Sequence, residues 1–168
     1  MKKIILFNGI MMILTIFLTG CGEPEITQEK DTFELGETVE LEKAVVYDVV
    51  KVSNVEVKNT GNFNTDKTGS YDVKYTATSV KGKTAEFVFT YNVKDTVAPE
   101  LTVNKETVDL CVEAEFDIND YASAKDLSEC TIDYTGDLDM EKEGEYLITI
   151  TAQDSSGNIS EEKNLTVW

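Results

Sequence analysis

Sliding the chain along itself by 75 residues aligns residues 24–84 with 99–159 without a gap, and 16 of the 61 paired positions are identical. The identities include Pro24/Pro99, Gly61/Gly136, Lys67/Lys142, Gly69/Gly144, Tyr71/Tyr146, Ala77/Ala152 and Gly82/Gly157. Other pairs keep their chemistry, such as Ile26/Leu101, Val57/Ile132 and Val73/Ile148. A chain that writes one unit twice is constrained to fold that unit twice. A period near 75 is too long for a solenoid repeat and suits a whole small domain used in tandem. The closing segment slips by one residue, Val93 matching Val167 best.

Each unit reads as β. Tyr71, Val73, Tyr75 and Ala77 alternate with Asp72, Lys74 and Thr76, and Tyr146, Ile148, Ile150 and Ala152 alternate in the same way. Phe87, Phe89, Tyr91 and Val93 form a third such run. Period two in β-branched and aromatic residues marks half-buried strands. Turn residues separate the runs, as in Lys67-Thr68-Gly69, Lys81-Gly82-Lys83 and Asp154-Ser155-Ser156-Gly157-Asn158. No stretch sustains a 3.6-residue period. The expectation is an all-β chain of antiparallel sandwiches.

Charge removes whole classes of function. The 15 cations are all Lys, there is no Arg and no His, and 32 carboxylates bring the formal charge to −17. Such a chain repels polyanions and lacks the bidentate reader of phosphate and guanine, which argues against nucleic acid. Without His, Ser–His nucleophiles and His-ligated zinc are excluded. Carboxylates close in sequence, such as Asp137/Asp139 and Glu161/Glu162, are expected in so acidic a chain, and immediate neighbours such as the second pair point to opposite faces of a strand. No enzymatic activity and no cofactor are expected.

The first 20 residues read as an address. Lys2 and Lys3 precede an apolar run over residues 4–18, the length of a secretory h-region and short for a membrane span. It ends in Leu18-Thr19-Gly20-Cys21, which resembles the lipobox of bacterial lipoproteins. The resemblance implies cleavage after Gly20, lipid on the Cys21 sulfur, and residence on the extracytoplasmic face of a bacterial cell membrane. Only Gly22 and Glu23 then separate Cys21 from Pro24, so the first domain is expected to stand on the lipid headgroups without a stalk.

The pattern Asp95-x-x-x-Pro99, then Gly144-x-Tyr146-x-Ile148-x-Ile150-x-Ala152-x-Asp154-x-x-Gly157-Asn158 and a closing strand, resembles the bacterial immunoglobulin-like domains found in tandem on cell-surface proteins. The organisation implied is a leader over 1–20, lipid attachment and tether over 21–23, and immunoglobulin-like domains over 24–94 and 95–168. The first unit departs from the pattern. Ser79-Val80-Lys81-Gly82-Lys83 stands where Asp-x-x-Gly-Asn is expected, and no Asp precedes Pro24. The Gly-x-Tyr pairs resemble the tyrosine corner, in which a ring packs inward and its hydroxyl caps local backbone.

Three further features carry chemistry. Cys111 and Cys130 fall where the first unit has Gly36 and Val55, so the fold does not demand them. An extracytoplasmic disulfide closing a loop of about 20 residues would contribute roughly 3 kcal/mol, the alternative being two separate thiols. Asp154 and Asn158, with Asp126, Asp137 or Asp139, offer oxygens to Ca²⁺. The competing reading is an Asx-type turn, because the first unit keeps this turn with Lys81 and Lys83 in place of ligands. Val45, Val46, Tyr47, Val49 and Val50 form either an interaction patch or an added buried strand. The function expected is a non-catalytic adhesion or protein-binding module, anchored to the membrane by lipid, with a protein or cell-wall ligand. The alternative is a structural spacer or accessory subunit of an envelope complex.

Overall fold

The computed structural model describes residues 22–59 and 61–168; the expected leader, its lipobox Leu18-Thr19-Gly20 and Cys21 lie outside them. The described chain is all-β apart from two short 3₁₀ turns. Its first half contains β1 (Ile26–Gln28), β2 (Thr32–Glu34), β3 (Val45–Tyr47), β4 (Val52–Lys58), β5 (Gly69–Ser79) and β6 (Thr84–Lys94). Its second half contains β7 (Glu100–Val103), β8 (Thr107–Val108), β9 (Ala122–Lys125), β10 (Cys130–Thr135), β11 (Tyr146–Asp154) and β12 (Lys163–Val167).

The two halves repeat one topology. In the first, a four-stranded sheet β2-β6-β5-β4 stands with a two-stranded sheet β1-β3; in the second, β8-β12-β11-β10 stands with β7-β9. All pairs are antiparallel except the first with the last strand of each large sheet, β2 with β6 and β8 with β12. Even the one-residue slip is kept in the ladder: Phe33 pairs with Val93, and Val108 with Val167. Each half is thus a four-plus-two arrangement, smaller than the seven or more strands of antibody domains.

Alternation decides which face of each central strand is covered. Val73, Tyr75 and Ala77 on β5 are fully buried, and Ile148, Ile150 and Ala152 on β11 are their counterparts. Around them sit two separate apolar clusters. One contains Ile26, Phe33, Val45, Val52, Tyr91 and Val93, and the other Leu101, Val108, Ile118, Leu165 and Val167. The repeated Gly61/Gly136 pair has a steric origin. A Cβ at Gly61 would lie 2.6 Å from the Asp72 carbonyl oxygen, and one at Gly136 would lie 2.8 Å from that of Leu147. Tyr71 and Tyr146 form the expected corners, their hydroxyls donating to the carbonyls of Lys67 (2.7 Å) and Lys142 (3.1 Å).

The cores differ in one respect. In the first, the Tyr75 hydroxyl donates to the carbonyl of Leu41 (3.0 Å) in the 3₁₀ turn Leu41–Lys43 and accepts from the Tyr91 hydroxyl (2.8 Å), which also lies 3.4 Å from the carbonyl of Ala44. Ile150 and Leu165 take these places in the second core, which is apolar throughout. Burial pushes both phenols above their ordinary pKa, Tyr91 most strongly. A phenol raised in the folded state contributes stability that is complete below the unfolded value of about 10 and is lost as pH rises beyond it. Alkaline titration should therefore unfold the first half before the second, read by near-UV absorbance and tyrosine NMR signals. Tyr91→Phe should remove part of that pH dependence while costing about 1 kcal/mol near neutral pH, the net worth of one hydrogen bond.

Candidate functional site

The turn that follows the central strand is built alike in both halves, yet its chemistry differs. After β11, Asp154 Oδ1 accepts from the peptide N–H groups of Ser156 (2.9 Å) and Asn158 (2.8 Å), and Oδ2 accepts from the Asn158 amide (2.7 Å). After β5, Ser79 takes the same place, its hydroxyl accepting from the N–H of Lys83 at 3.1 Å. Gly82 and Gly157 supply positive φ in the two turns, +80° and +93°. Asp154 is buried, which by itself would raise its pKa. The Asn158 side chain and the peptide N–H groups of Asn158, Ser156 and Gly157 outweigh that and hold the carboxyl below the usual range. These are the hydrogen bonds of an Asx-type turn.

The second turn also receives the incoming chain. Asp95 Oδ2 accepts from Ser128 (2.8 Å) and Ser156 (3.1 Å), and the Asp95 carbonyl accepts from the Asn158 amide (3.2 Å). The next residue, Thr96, is gripped from the first half, where the Glu34 carboxylate accepts from its N–H (2.6 Å) and its hydroxyl (2.8 Å). One carboxylate oxygen each from Asp95, Asp126 and Asp154 lies within 4.8 Å of the others. Of the residues weighed for Ca²⁺, the fold thus brings Asp126 to Asp154 and adds Asp95. Asp137 and Asp139 lie at the other end of β11, in the loop that leads into it. Three carboxylates fall short of the six to eight oxygens a hard cation takes, and Asn158 presents its amide nitrogen to them as a donor.

The expected disulfide is not formed. Cys111 and Cys130 are free thiols, exposed and half-buried respectively. Cys130 pairs with Asp154 across β10 and β11, whereas Cys111 lies beside Tyr146 at the opposite end of β11. Eight residue steps along a strand separate those ends by about 26 Å, far beyond disulfide reach. Burial pushes the Cys130 thiol up, helped by the charges of Asp126, Asp154 and Asp95, so it is a poor nucleophile.

The valine segment divides. Val45 is buried and Tyr47 packs on the first core, so these two leave the expected patch. Val46, Val49 and Val50 are exposed, the last two by about three-quarters of their surface. The reason is local: Asp48 turns the chain by accepting from the N–H of Val50 at 2.9 Å, and Val49 and Val50 project from that turn. That N–H and Lys51 hold the Asp48 carboxyl below its usual pKa. Val80 joins the group through its N–H, which donates to the Lys51 carbonyl at 2.9 Å.

A second apolar surface is spread across the sequence and becomes visible only in the fold. At the end of the second half away from Asp95, Leu110, Val112, Met140, Tyr146 and Trp168 line a recess of about 230 Å³. Trp168 is half exposed there, fixed by backbone pairing with Val108 and Leu110. Trp and Tyr at the rim of an apolar recess are the residue types that dominate interface energetics.

Comparison with known proteins finds a family match in the second half. Residues 99–168 match the family model described as Internalin K domain (D3/D4). The chain is 25% identical over 116 residues to an uncharacterized 81.3 kDa protein of Acholeplasma phage L2, an alignment covering 63% of this chain and 15% of the phage protein. The chain therefore spans about one-seventh of that relative. It is also similar to a structure of Clostridium thermocellum CbhA fibronectin(III)-like modules at 18% identity, with 86% of this chain and 93% of the other covered and a TM-score of 0.33.

Two outcomes are expected. Unfolded, unreduced protein carrying Cys21→Ser should titrate two thiols per chain with Ellman's reagent; none would mean the bridge exists. Asp154→Ala should lower the urea midpoint of the second half more than Ser79→Ala lowers that of the first, since three bonds are lost against one. The Asp154 contribution is present above the ordinary carboxylate pKa of about 4 and fades as pH falls below it.

Proposed function

We propose that the chain is a lipid-anchored extracytoplasmic lipoprotein whose two tandem immunoglobulin-like domains, 24–94 and 95–168, act as a non-catalytic adhesion or protein-binding module. The observation that carries this reading is the match of residues 99–168 to an internalin-type domain, a class that is typically surface-located and non-enzymatic. The lipobox resemblance at Leu18-Thr19-Gly20-Cys21 supports the anchor. The repeated topology supports two domains, because the two halves have separate cores and the same strand order. The Trp168 recess supports the binding of a protein or cell-wall ligand at the end remote from the anchor, through a rigid aromatic and its apolar rim.

A spacer or accessory subunit is the second reading. It is favoured by the joint, where Asp95 is held by one half and Thr96 by the other, as a stiff strut requires. Affinity capture separates the two. With the protein immobilised by its amino end, envelope and host-surface extracts should yield a saturable partner that is lost on Trp168→Ala with Val112→Ser and retained when Val46, Val49 and Val50 are replaced by Asp. Loss only in the valine variant would move the ligand site to the first half. No partner in any extract would make the spacer the better account.

A further inference from the structure

The turn after β5 occupies, in the first half, the place where the second half receives its incoming chain. In the second half that turn presents Asp154, Ser156 and Asn158 and holds the linker at Asp95. In the first half the aligned residues are Ser79, Lys81 and Lys83. The incoming chain passes here too: Gly22 lies so close to Lys81 that a side chain on it would meet the Lys81 Cδ at 3.4 Å. Pro24 is fully buried, so the packed body begins three residues after Cys21.

Around this point three lysines and three valines share one tip. Val80 is bonded through its backbone to Lys51, and Val49, Val50 and Val80 are each more than half exposed. Among the described residues Lys81 and Lys83 form no ion pair, while Lys51 is paired with Asp48 at 3.3 Å. The acids nearest along the chain are Asp48, which Lys51 neutralises, Glu86, which Lys74 pairs at 2.7 Å, and Glu23 and Glu25, which flank Pro24. In a chain of net charge −17 such a basic and apolar tip is an exception, and it stands where the chain enters the fold.

We infer that this tip, Val49, Val50, Lys51, Val80, Lys81 and Lys83, docks on the anionic phospholipid surface of the membrane that holds the chain. The inference rests on the reading that Cys21 carries the lipid, because that attachment leaves the tip within two residues of the headgroups. Exposed valines enter the headgroup boundary while the ammonium groups meet lipid phosphates. Beyond a Debye length, about 8 Å in physiological salt, the acidic remainder of the molecule does not feel the surface, so the tip adheres and the body stands away from it.

The test uses the full chain, isolated from bacterial membranes and reconstituted into vesicles. A Val80→Trp variant with Trp168→Phe carries one indole, at the tip. In vesicles of phosphatidylglycerol with brominated phosphatidylcholine, its emission should shift to the blue and be quenched. Both effects should weaken in vesicles of phosphatidylcholine alone or in high salt, and disappear on adding Lys81→Glu and Lys83→Glu. The mass of the same sample reports the state of Cys21. A lipidated chain whose indole stays solvent-like overturns the docking and leaves the anchor standing. An unmodified Cys21 overturns the anchor; quenching that survives it upholds the docking, and its absence removes both. A blue shift that needs no vesicles and grows with protein concentration overturns the docking in favour of a second copy of the chain.

Discussion

The buried face of one strand in each half holds the rest together. On β5 and β11 every second side chain is removed from water over three consecutive inward positions. Burial of each large aliphatic or aromatic group there contributes about 1.5–3 kcal/mol. The neighbouring strands are placed by pairing with these two, and the short sheets β1-β3 and β7-β9 close over the same side chains. The first half needs polar help as well. Its tyrosine pair ties the core to the Leu41 carbonyl, where the second half has Ile150 and Leu165 at the same positions.

The same strands end in the turns that meet whatever lies upstream. One alternation rule serves both purposes, since Ser79 and Asp154 continue the inward series of β5 and β11 and are buried as their polar last members. Being buried and polar, each must find donors, and the following turn supplies them. Once the backbone of the turn is fixed in this way, its outward residues are free to differ. Lysines occupy them in one half, and a serine and an asparagine in the other.

The long strands were legible because period two over nine to eleven residues leaves no competing interpretation, and the tandem alignment carries the same pattern into both halves. The Asx turn and the tyrosine corners were legible for a related reason: each is set by residues no more than four apart. What the sequence did not disclose depends on distance. The spacing of Cys111 and Cys130 measures a loop but not the end of β11 to which each thiol goes. The run from Val45 to Val50 looks uniform, yet Asp48 breaks it into a strand residue facing inward and a turn facing water. The Trp168 recess joins the end of β12, the segment after β8 and the loop before β11, and none of these is apolar enough to stand out alone.

The direction of the chain through each half has a consequence for how such units combine. In the first half the chain enters beside the β5–β6 turn and leaves at the far end of β6, 11 residues on, about 36 Å away. There the exit residue Asp95 is received by the β11–β12 turn of the second half. Entry and exit lie at opposite poles, so units joined by this contact add length rather than bulk. The coupling has a grammar of two words, an aspartate four residues ahead of the proline and Asp-x-x-Gly-Asn in the receiving turn. Any number of units carrying both words would extend the rod by one strand length each. The first unit carries neither: Lys81 and Lys83 stand where the serine and asparagine of the second turn bond Asp95.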